Sequence, residues 1–389
     1  MAAVFFVSTW IGYEVGLIDD GLELAAQQHA GNPSLVAELM SASGFGVFLE
    51  TIPYLFYPIL AIVMVVMVAA TGRDFGPMLK AERRAASGGG LIGDGAQVAA
   101  DMDTSLTEAE SVPPGRWFNG AIPVAVLVVT VLAGLISTGL DSLGPDWENS
   151  SGSLIDWGRD VFGAADPFSP LMWGALFAGV VAGILAVAQK ILSMRDTVDA
   201  WLQGLRAMVL AMLILLLAWS LGAVTEALGT ASYLAQVLSG NLAAALLPTI
   251  VFIMASLIAF STGTSWATMA ILLPLVVPLA ITLTGGITFE GGAEHAIVLG
   301  SIGAVLSGAI FGDHCSPISD TTVLSSTASS CDHVDHVRTQ LPYAMVVAVV
   351  AIVFGSIPTA LGVPAWISLL LGVVVLGLIV RFVAQPVEV

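Results

Sequence analysis

Apolar runs long enough to cross a bilayer recur along the chain, separated by short polar stretches. They are predicted at residues 48–70, 117–140, 171–192, 206–228, 342–361 and 365–383. Residues 1–18 are also apolar, lack the basic start of a signal peptide, and are expected to form part of a helix. The acidic stretch 19–50 is interpreted as a solvent loop with some helical character, and the acidic stretch 141–168 as a solvent loop. The Gly- and Ser-rich stretch 71–116 is interpreted as a flexible connector. The pattern predicts an all-α polytopic membrane protein, a transmembrane helix bundle embedded in lipid.

The region between residues 242 and 330 has a more complicated pattern. Two apolar arms, 242–260 and 267–283, are joined by the polar sequence STGTSW. If the segment after residue 70 is cytoplasmic, alternating spans place ten of the 11 Lys and Arg residues inside and only Arg159 outside. This count favours a re-entrant hairpin over 242–283, which enters and leaves on the outer side, followed by a broken helix over 296–330. Two full spans joined by a cytoplasmic turn are the alternative.

Composition narrows the class of protein further. Of 389 residues, 57% are hydrophobic and 10% are charged, and the mean hydropathy is +0.94, which is far from a soluble domain. A net charge of −18 with 11 basic residues excludes nucleic acid as a partner. The two cysteines do not indicate a disulfide framework, and no cofactor is expected.

The sequence IFGDHCSPISDTTVLSSTASS, residues 310–330, places ionisable groups where the bilayer is expected. Asp313, His314 and Asp320 follow an apolar run, although a carboxylate at the bilayer centre costs about 2.5–3.5 kcal/mol. Gly312 and Pro317 predict that the helix breaks there, which frees backbone groups. Oxygen ligands for a small hard cation are then available from the side chains or backbone of Ser316, Ser319, Thr321, Thr264 and Ser265.

The expected chemistry is competition between two cations for one carboxylate. Burial disfavours the charged form of a carboxyl group, so Asp313 and Asp320 could exchange a proton for Na⁺, with both residues as candidate Na⁺ ligands. Displacement of Na⁺ by a proton would then produce antiport. The alternative for either residue is a structural carboxylate that binds freed backbone amides.

Three further polar features have less specific interpretations. His314 could relay a proton or could be a packed histidine bonded to the backbone. Glu14 could line the ion pathway or could be a membrane-edge glutamate that partners another segment. The sequence DHVDH at residues 332–336 could hold a metal, but acidic helix-capping residues at a cytoplasmic helix start explain it more simply.

The segment FGDHCSPISDTTVLSSTASSCDHVDHVRTQLPYA resembles the signature of the NhaC-type sodium:proton antiporters. The segments STGTSWATMAILLPL, STWIGYEVGLI and TGRDFGPMLKAERRA also resemble that family. The resemblance implies the ion-transporter superfamily, with two inverted repeats that each carry a re-entrant hairpin and a broken helix, often as a homodimer. It also implies an earlier half with its own hairpin and paired aspartates, which has no counterpart before Met1. We therefore expect one repeat plus part of the other.

Together these features predict a multi-pass secondary transporter that exchanges Na⁺ for H⁺ across the plasma membrane. Residues 1–116 are expected to form a partial helix, one span and the connector, and residues 117–389 the transport domain. Alternatives are a carrier of dicarboxylates or lactate coupled to Na⁺ or H⁺, and an inactive half that needs a partner chain. The lack of arginine in the predicted membrane core favours inorganic cations. No HExxH or GxSxG motif is present, so an enzyme is not expected.

Overall fold

A computed structural model describes residues 9–42, 44–93, 95, 116–145, 147, 153–163, 165–166, 168–227, 243–285 and 292–387. Helices account for nearly all of the regular structure, and two-residue strands β1 (Arg73–Asp74) and β2 (Gln385–Pro386) pair antiparallel. The helices are α1 Thr9–Gln28, α2 Pro33–Ser41, α3 Gly44–Thr51, α4 Phe56–Thr71, α5 Gly76–Ala86, α6 Phe118–Leu143, α7 Leu154–Gly163, α8 Phe168–Ala188, α9 Met194–Ala227, α10 Leu247–Thr262, α11 Ser265–Thr284, α12 Ala293–Cys315, α13 Asp320–Ala328, α14 His333–Val350, α15 Ile357–Ala360 and α16 Ala365–Phe382.

Seven helical segments within the described residues are long and apolar enough to cross a membrane. This confirms the prediction of an all-α polytopic membrane protein. The central helix is α12. In an apolar stretch of 18 residues, 83% of α12 is buried, compared with 6% of the corresponding stretch in α6 and in α8. The apolar side chains of α6 and α8 that face outward therefore suit contact with lipid.

Glycines let α12 pack closely against α10. A Cβ on Gly308 would lie 2.5 Å from the carbonyl oxygen of Phe252, and one on Gly312 would lie 2.4 Å from that of Ser256. Small residues four apart allow this kind of backbone contact between membrane helices. The spacing aligns the end of α12 with the end of α10.

The helices α10 and α11 form a tight hairpin at the position of the polar STGTSW sequence. Gly263 ends α10 in the left-handed conformation, with φ +68°, and Thr264 in extended conformation starts α11. A residue other than glycine is disfavoured at this φ. The observed arms are Leu247–Thr262 and Ser265–Thr284, compared with the predicted arms 242–260 and 267–283. The end of the second arm differs from the prediction by one residue.

The predicted broken helix is present as α12 and α13. The first part ends at Cys315, a four-residue break follows, and the second part begins at Asp320. Pro317 lies in the break, where a proline that lacks an amide donor is tolerated. A Cβ on Gly263 would lie 2.7 Å from the carbonyl oxygen of Ile318, so the hairpin tip contacts the break directly.

The span predicted over residues 48–70 is interrupted in the structure. The helix α3 ends at Thr51, a 3₁₀ turn covers Ile52–Tyr54, and α4 begins at Phe56. Pro53 within the turn lacks an amide donor, which prevents a regular α-helix from continuing. In addition, Pro33–Met40 and Gly44–Tyr54 meet at 78°.

The interpretation of residues 19–50 as a solvent loop with some helical character was only partly right, because most of the stretch is helical. The helix α1 continues to Gln28, and α2 and α3 follow it. Ile18, Leu22 and Ala25 are buried, whereas the acidic residues between them are exposed. The segment is thus an amphipathic helix with one apolar face, and the high acid content concealed that face.

Two further stretches interpreted as loop or connector contain helices. The helix α7 lies within 141–168 and packs against α6, where a Cβ on Gly139 would lie 2.0 Å from the carbonyl oxygen of Val161. The helix α5 lies within 71–116, and Arg83 donates to the side chain of Gln385 and the carbonyl of Pro386. Residues 96–115 of the predicted connector lie outside the described residues.

Basic residues from distant parts of the chain meet near the two short strands. Arg73 donates to the carbonyl of Ala384 over 2.6 Å. Lys80, Arg84 and Arg338 line one cavity of about 960 Å³ between α5 and the start of α14. This clustering agrees with the prediction that these residues share one side of the membrane.

Candidate functional site

The best-formed polar site surrounds Asp313, in the last turn of α12. Its carboxylate is buried and accepts hydrogen bonds from Ser319 Oγ over 2.8 Å and Thr321 Oγ1 over 2.6 Å, one at each oxygen. The backbone amide of Ser265 donates to the same carboxylate. The two hydroxyls are themselves 2.9 Å apart. Three segments, namely the break, the first turn of α13 and the start of α11, therefore converge on one acidic group at the end of α12.

Ser316 fixes the hairpin to the break instead of contacting the carboxylate. Its Oγ donates to the carbonyl oxygen of Phe260, near the end of α10, over 2.9 Å. The amide of Ile318 donates back to the same Oγ over 3.3 Å. Ser316 is fully buried, and its contacts fix the backbone just before Ser319 and Thr321, the residues that donate to Asp313.

Asp320 and Thr264 lie beside the carboxylate and make different contacts. Asp320 Oδ1 accepts from the amide of Thr321 over 2.7 Å at the first turn of α13, where a negative charge is favourable. Asp320 is half-buried, and its charge acts on Asp313. The backbone carbonyl of Thr264 accepts from Thr268 Oγ1, and within the described residues its own hydroxyl makes no hydrogen bond with Asp313.

His314 points to a different neighbour from that of Asp313. Its Nδ1 lies 3.1 Å from the hydroxyl of Tyr57, on α4. Tyr57 is almost fully buried and packs edge-on against Phe311, with ring centroids 5.2 Å apart. Tyr57 was not singled out in the sequence, because a tyrosine in an aliphatic run resembles any packed aromatic residue. It links α4 to the end of α12.

Glu14 lies on α1, one residue after Tyr13, which contacts the hairpin tip. The preceding residue, Tyr13, donates from its hydroxyl to the carbonyl of Trp266 over 3.2 Å. Trp266 directly follows Ser265, whose amide reaches Asp313. Glu14 is 0% exposed, and neither carboxylate oxygen has a hydrogen-bond partner within the described part of the chain.

The acidic and imidazole groups at residues 332–336 act as helix-capping and surface groups. Asp332 accepts from the amide of Asp335 over 2.8 Å as the N-cap of α14. His333 Nδ1 lies 3.0 Å from Ser326 Oγ. No group of three or more His, Cys, Asp or Glu residues suited to a metal ion occurs among the described residues. The capping interpretation fits these contacts.

Comparison with known proteins places the site within a family. A profile described as "Na+/H+ antiporter family" matches residues 2–357. An uncharacterised protein of Haemophilus influenzae is 31% identical over 348 residues, which is 90% of this chain and 59% of that protein. An arginine/ornithine antiporter of Halobacterium salinarum is 29% identical over 48% of this chain and 36% of its own. A malate-2H(+)/Na(+)-lactate antiporter of Bacillus subtilis is 41% identical over 23% of this chain and 17% of its own.

The chain spans 59% of the length of the Haemophilus protein and smaller parts of the other two. No solved structure matches it. The family match covers nearly the whole chain, including the hairpin, the break and Asp313. The chain thus has the helices of a multi-pass membrane protein, and it belongs to the Na⁺/H⁺ antiporter family.

Proposed function

We propose that this protein exchanges Na⁺ for H⁺ through the carboxylate of Asp313. The observation that carries the proposal is the convergence of Ser319, Thr321 and the Ser265 amide on that buried group. Each is a neutral group, and residues 247–328 contain no Lys or Arg. A buried carboxylate surrounded by neutral donors has no permanent counter-ion, so a mobile cation can supply the missing charge.

The two hydroxyls allow the same site to hold either cation. A hydroxyl both donates and accepts, so Ser319 and Thr321 can donate to an ionised Asp313 or accept from its protonated form. When Na⁺ binds, the hydroxyl oxygens turn their lone pairs to the ion and become ligands beside the carboxylate. Carbonyl oxygens freed at the ends of α10 and α12 complete the ligand set that Na⁺ prefers. A proton on Asp313 removes the charge that attracts Na⁺, and the two cations compete.

Asp320 is assigned a supporting electrostatic role. Its carboxylate is held by the Thr321 amide, and it adds a second negative charge near the site. That charge favours a cation at Asp313 and is partly screened, because Asp320 is half-buried. Loss of Asp320 should therefore weaken transport, whereas loss of Asp313 should abolish it.

Na⁺-dependent proton movement in everted membrane vesicles tests this function. Addition of Na⁺ to acidified vesicles that contain the wild-type protein should raise their internal pH, as reported by a pH-sensitive dye. Asp313→Asn should abolish the signal because asparagine cannot bind a proton or offer a negative charge. Asp320→Asn should reduce it.

Glu294→Gln is the matched control for these variants. Glu294 lies at the exposed start of α12, the helix that also carries Asp313, and its replacement removes the same charge. It should leave exchange unchanged. Wild-type exchange by Asp313→Asn would reject the proposal, and wild-type exchange by Asp320→Asn would reject the supporting role of Asp320.

A further inference from the structure

A second carboxyl group, that of Glu14, is buried on α1 next to Tyr13, which contacts the hairpin tip, and its surroundings differ from those of Asp313. The Asp313 carboxylate accepts from two hydroxyls and one amide. The Glu14 carboxyl accepts from none of the described residues, although it is fully buried. Donors favour the ionised form of a carboxyl group, and their absence together with burial favours the protonated form. Glu14 is therefore suited to hold a proton and not a metal cation.

A purely structural role does not explain an unpaired glutamate. Leaving a buried polar group without a partner costs about 1–3 kcal/mol, and buried carboxyl groups normally have partners. An apolar residue of similar size would avoid this cost at a helix–helix contact. A carboxyl that changes protonation during a transport cycle, and finds water or a partner in another state, accounts for its presence.

Among the side chains that the structure describes on α1 and on the helices packed against it, none is a lysine or arginine that could give Glu14 a permanent counter-charge. The helix α11, which packs most extensively against α1, carries no ionisable side chain. The remaining ionisable groups on α1 and on the other helices that pack against it are Tyr13, Asp19, Asp20 and Glu23 of α1, Glu38 of α2, Glu50 of α3, and Asp156, Arg159 and Asp160 of α7. Those acidic residues whose side chains the structure describes are exposed or half-buried. Most of these groups are acidic, which further disfavours ionisation of Glu14.

The hairpin tip connects Glu14 to the cation site. Two consecutive residues of the tip contact two different helices. The amide of Ser265 donates to Asp313 on α12, and the carbonyl of Trp266 accepts from Tyr13 on α1. Trp266 also packs against Tyr13 with ring centroids 4.6 Å apart. Entry of a cation beside Asp313 must act on the Ser265 amide, and any movement of the tip is transmitted to α1 beside Glu14.

We propose that Glu14 is a second proton-binding residue of the exchange, which gives up its proton to water when a cation occupies the Asp313 site. The inference rests on the proposed Na⁺/H⁺ exchange. The protons that leave the two carboxyl groups balance the charge of the incoming cation. Exchange would then move more than one proton for each Na⁺.

The dependence of Na⁺ affinity on pH counts the displaced protons. Na⁺ binding to the purified full chain is measured by isothermal titration calorimetry at several pH values. The pH range is chosen so that the carboxyl groups of Asp313 and Glu14 are both protonated when no Na⁺ is bound. Each displaced proton changes the apparent Kd about tenfold per pH unit. The wild-type Kd should fall about 100-fold per unit as pH rises, and that of Glu14→Gln about 10-fold. Proton release in weak buffer should fall by about one per bound Na⁺ in the variant.

Two further variants separate the possible outcomes. Glu23→Gln, an exposed position on the same helix, should behave as wild type. Glu14→Asp retains a carboxyl and should keep the second proton, so a loss equal to that in Glu14→Gln would overturn the inference. An unchanged pH dependence in a folded Glu14→Gln protein would also overturn it. Absence of Na⁺ binding by the wild type, or wild-type binding by Asp313→Asn, would instead reject the proposed function.

Discussion

The hydroxyl groups around Asp313 determine how well this site can bind a cation. Thr321 Oγ1 lies 2.6 Å from the Asp313 carboxylate and is partly accessible from outside, so it is the ligand nearest to solvent. Thr321→Val keeps the shape but removes the hydroxyl. A hydrogen bond to a charged group contributes about 1.5–3 kcal/mol, so Na⁺ affinity should fall about 10- to 100-fold. Calorimetric titration with Na⁺ measures this.

Thr321→Ser is the control for the valine variant. Serine keeps the hydroxyl and loses only a methyl group at an exposed position. Its Na⁺ affinity should stay within a few-fold of wild type. If the valine variant binds Na⁺ as tightly as the serine variant, Thr321 is not a ligand and the hydroxyl only orients Asp313.

Sequence reasoning at the residue scale found the carboxylate and two of its hydroxyl donors, because the Gly-Pro break and the dense hydroxyl run lie within one short segment. It could not assign individual contacts. Ser316 and Ser319 look equivalent in the sequence, yet one donates to Phe260 and the other to Asp313. The pairing of His314 with Tyr57 joins residues 257 positions apart and depends on how α4 packs. Local spacing does not contain that information.

The contact between α10 and α12 positions the site at the element scale. Gly312 lies one residue before Asp313, and a Cβ there would lie 2.4 Å from the Ser256 carbonyl oxygen. Gly312→Ala should push the two helices apart. The new methyl group would meet a backbone carbonyl, which cannot move aside as the end of a flexible side chain could. Overpacking of this kind costs about 1–3 kcal/mol, so the thermal unfolding midpoint in detergent should fall. Na⁺ affinity should fall with it.

Gly179→Ala provides the comparison on α8. A Cβ on Gly179 would meet no atom within 4 Å. Alanine is favoured over glycine within a helix by about 1 kcal/mol, so this variant should be neutral or slightly stabilised. Equal losses of stability in both variants would show that close packing at Gly312 is not the cause.

The breaks in the helices were only partly predictable from the pattern. The turn at Gly263 and the break at Pro317 interrupt apolar runs with polar residues, which makes them visible in the sequence. The turn before Phe56 is surrounded by apolar residues, and Pro53 and Pro58 alone did not distinguish it from a kinked span. The second half of α1 and the helix α7 were not predicted as amphipathic helices, because the acidic residues in these stretches favoured a solvent-loop interpretation. Their apolar faces become evident only against the helices that they cover.

The orientation of the whole molecule follows from its distribution of basic residues. Arg73, Arg83 and the end of α16 form one cluster, and Arg116 donates to Gln189 next to Lys190. Both clusters belong to the side predicted to be cytoplasmic. This sidedness stays a prediction from the sequence, and it depends on the count of charges in each loop and not on how the helices pack.

The two ends of α8 test this orientation. Ser169 and Ser193 are exposed, lie at opposite ends of the helix, and each donates to a nearby aspartate, Asp166 and Asp196, over 2.5 and 2.6 Å. In a protein with Cys315→Ala and Cys331→Ser, Ser169→Cys should react with an impermeant maleimide added to intact cells. Ser193→Cys should react only after the membrane is opened, because it adjoins the basic residues Lys190 and Arg195 that favour the cytoplasm. The reverse labelling pattern would invert the topology, and it would place the hairpin α10–α11 as entering from the cytoplasmic side.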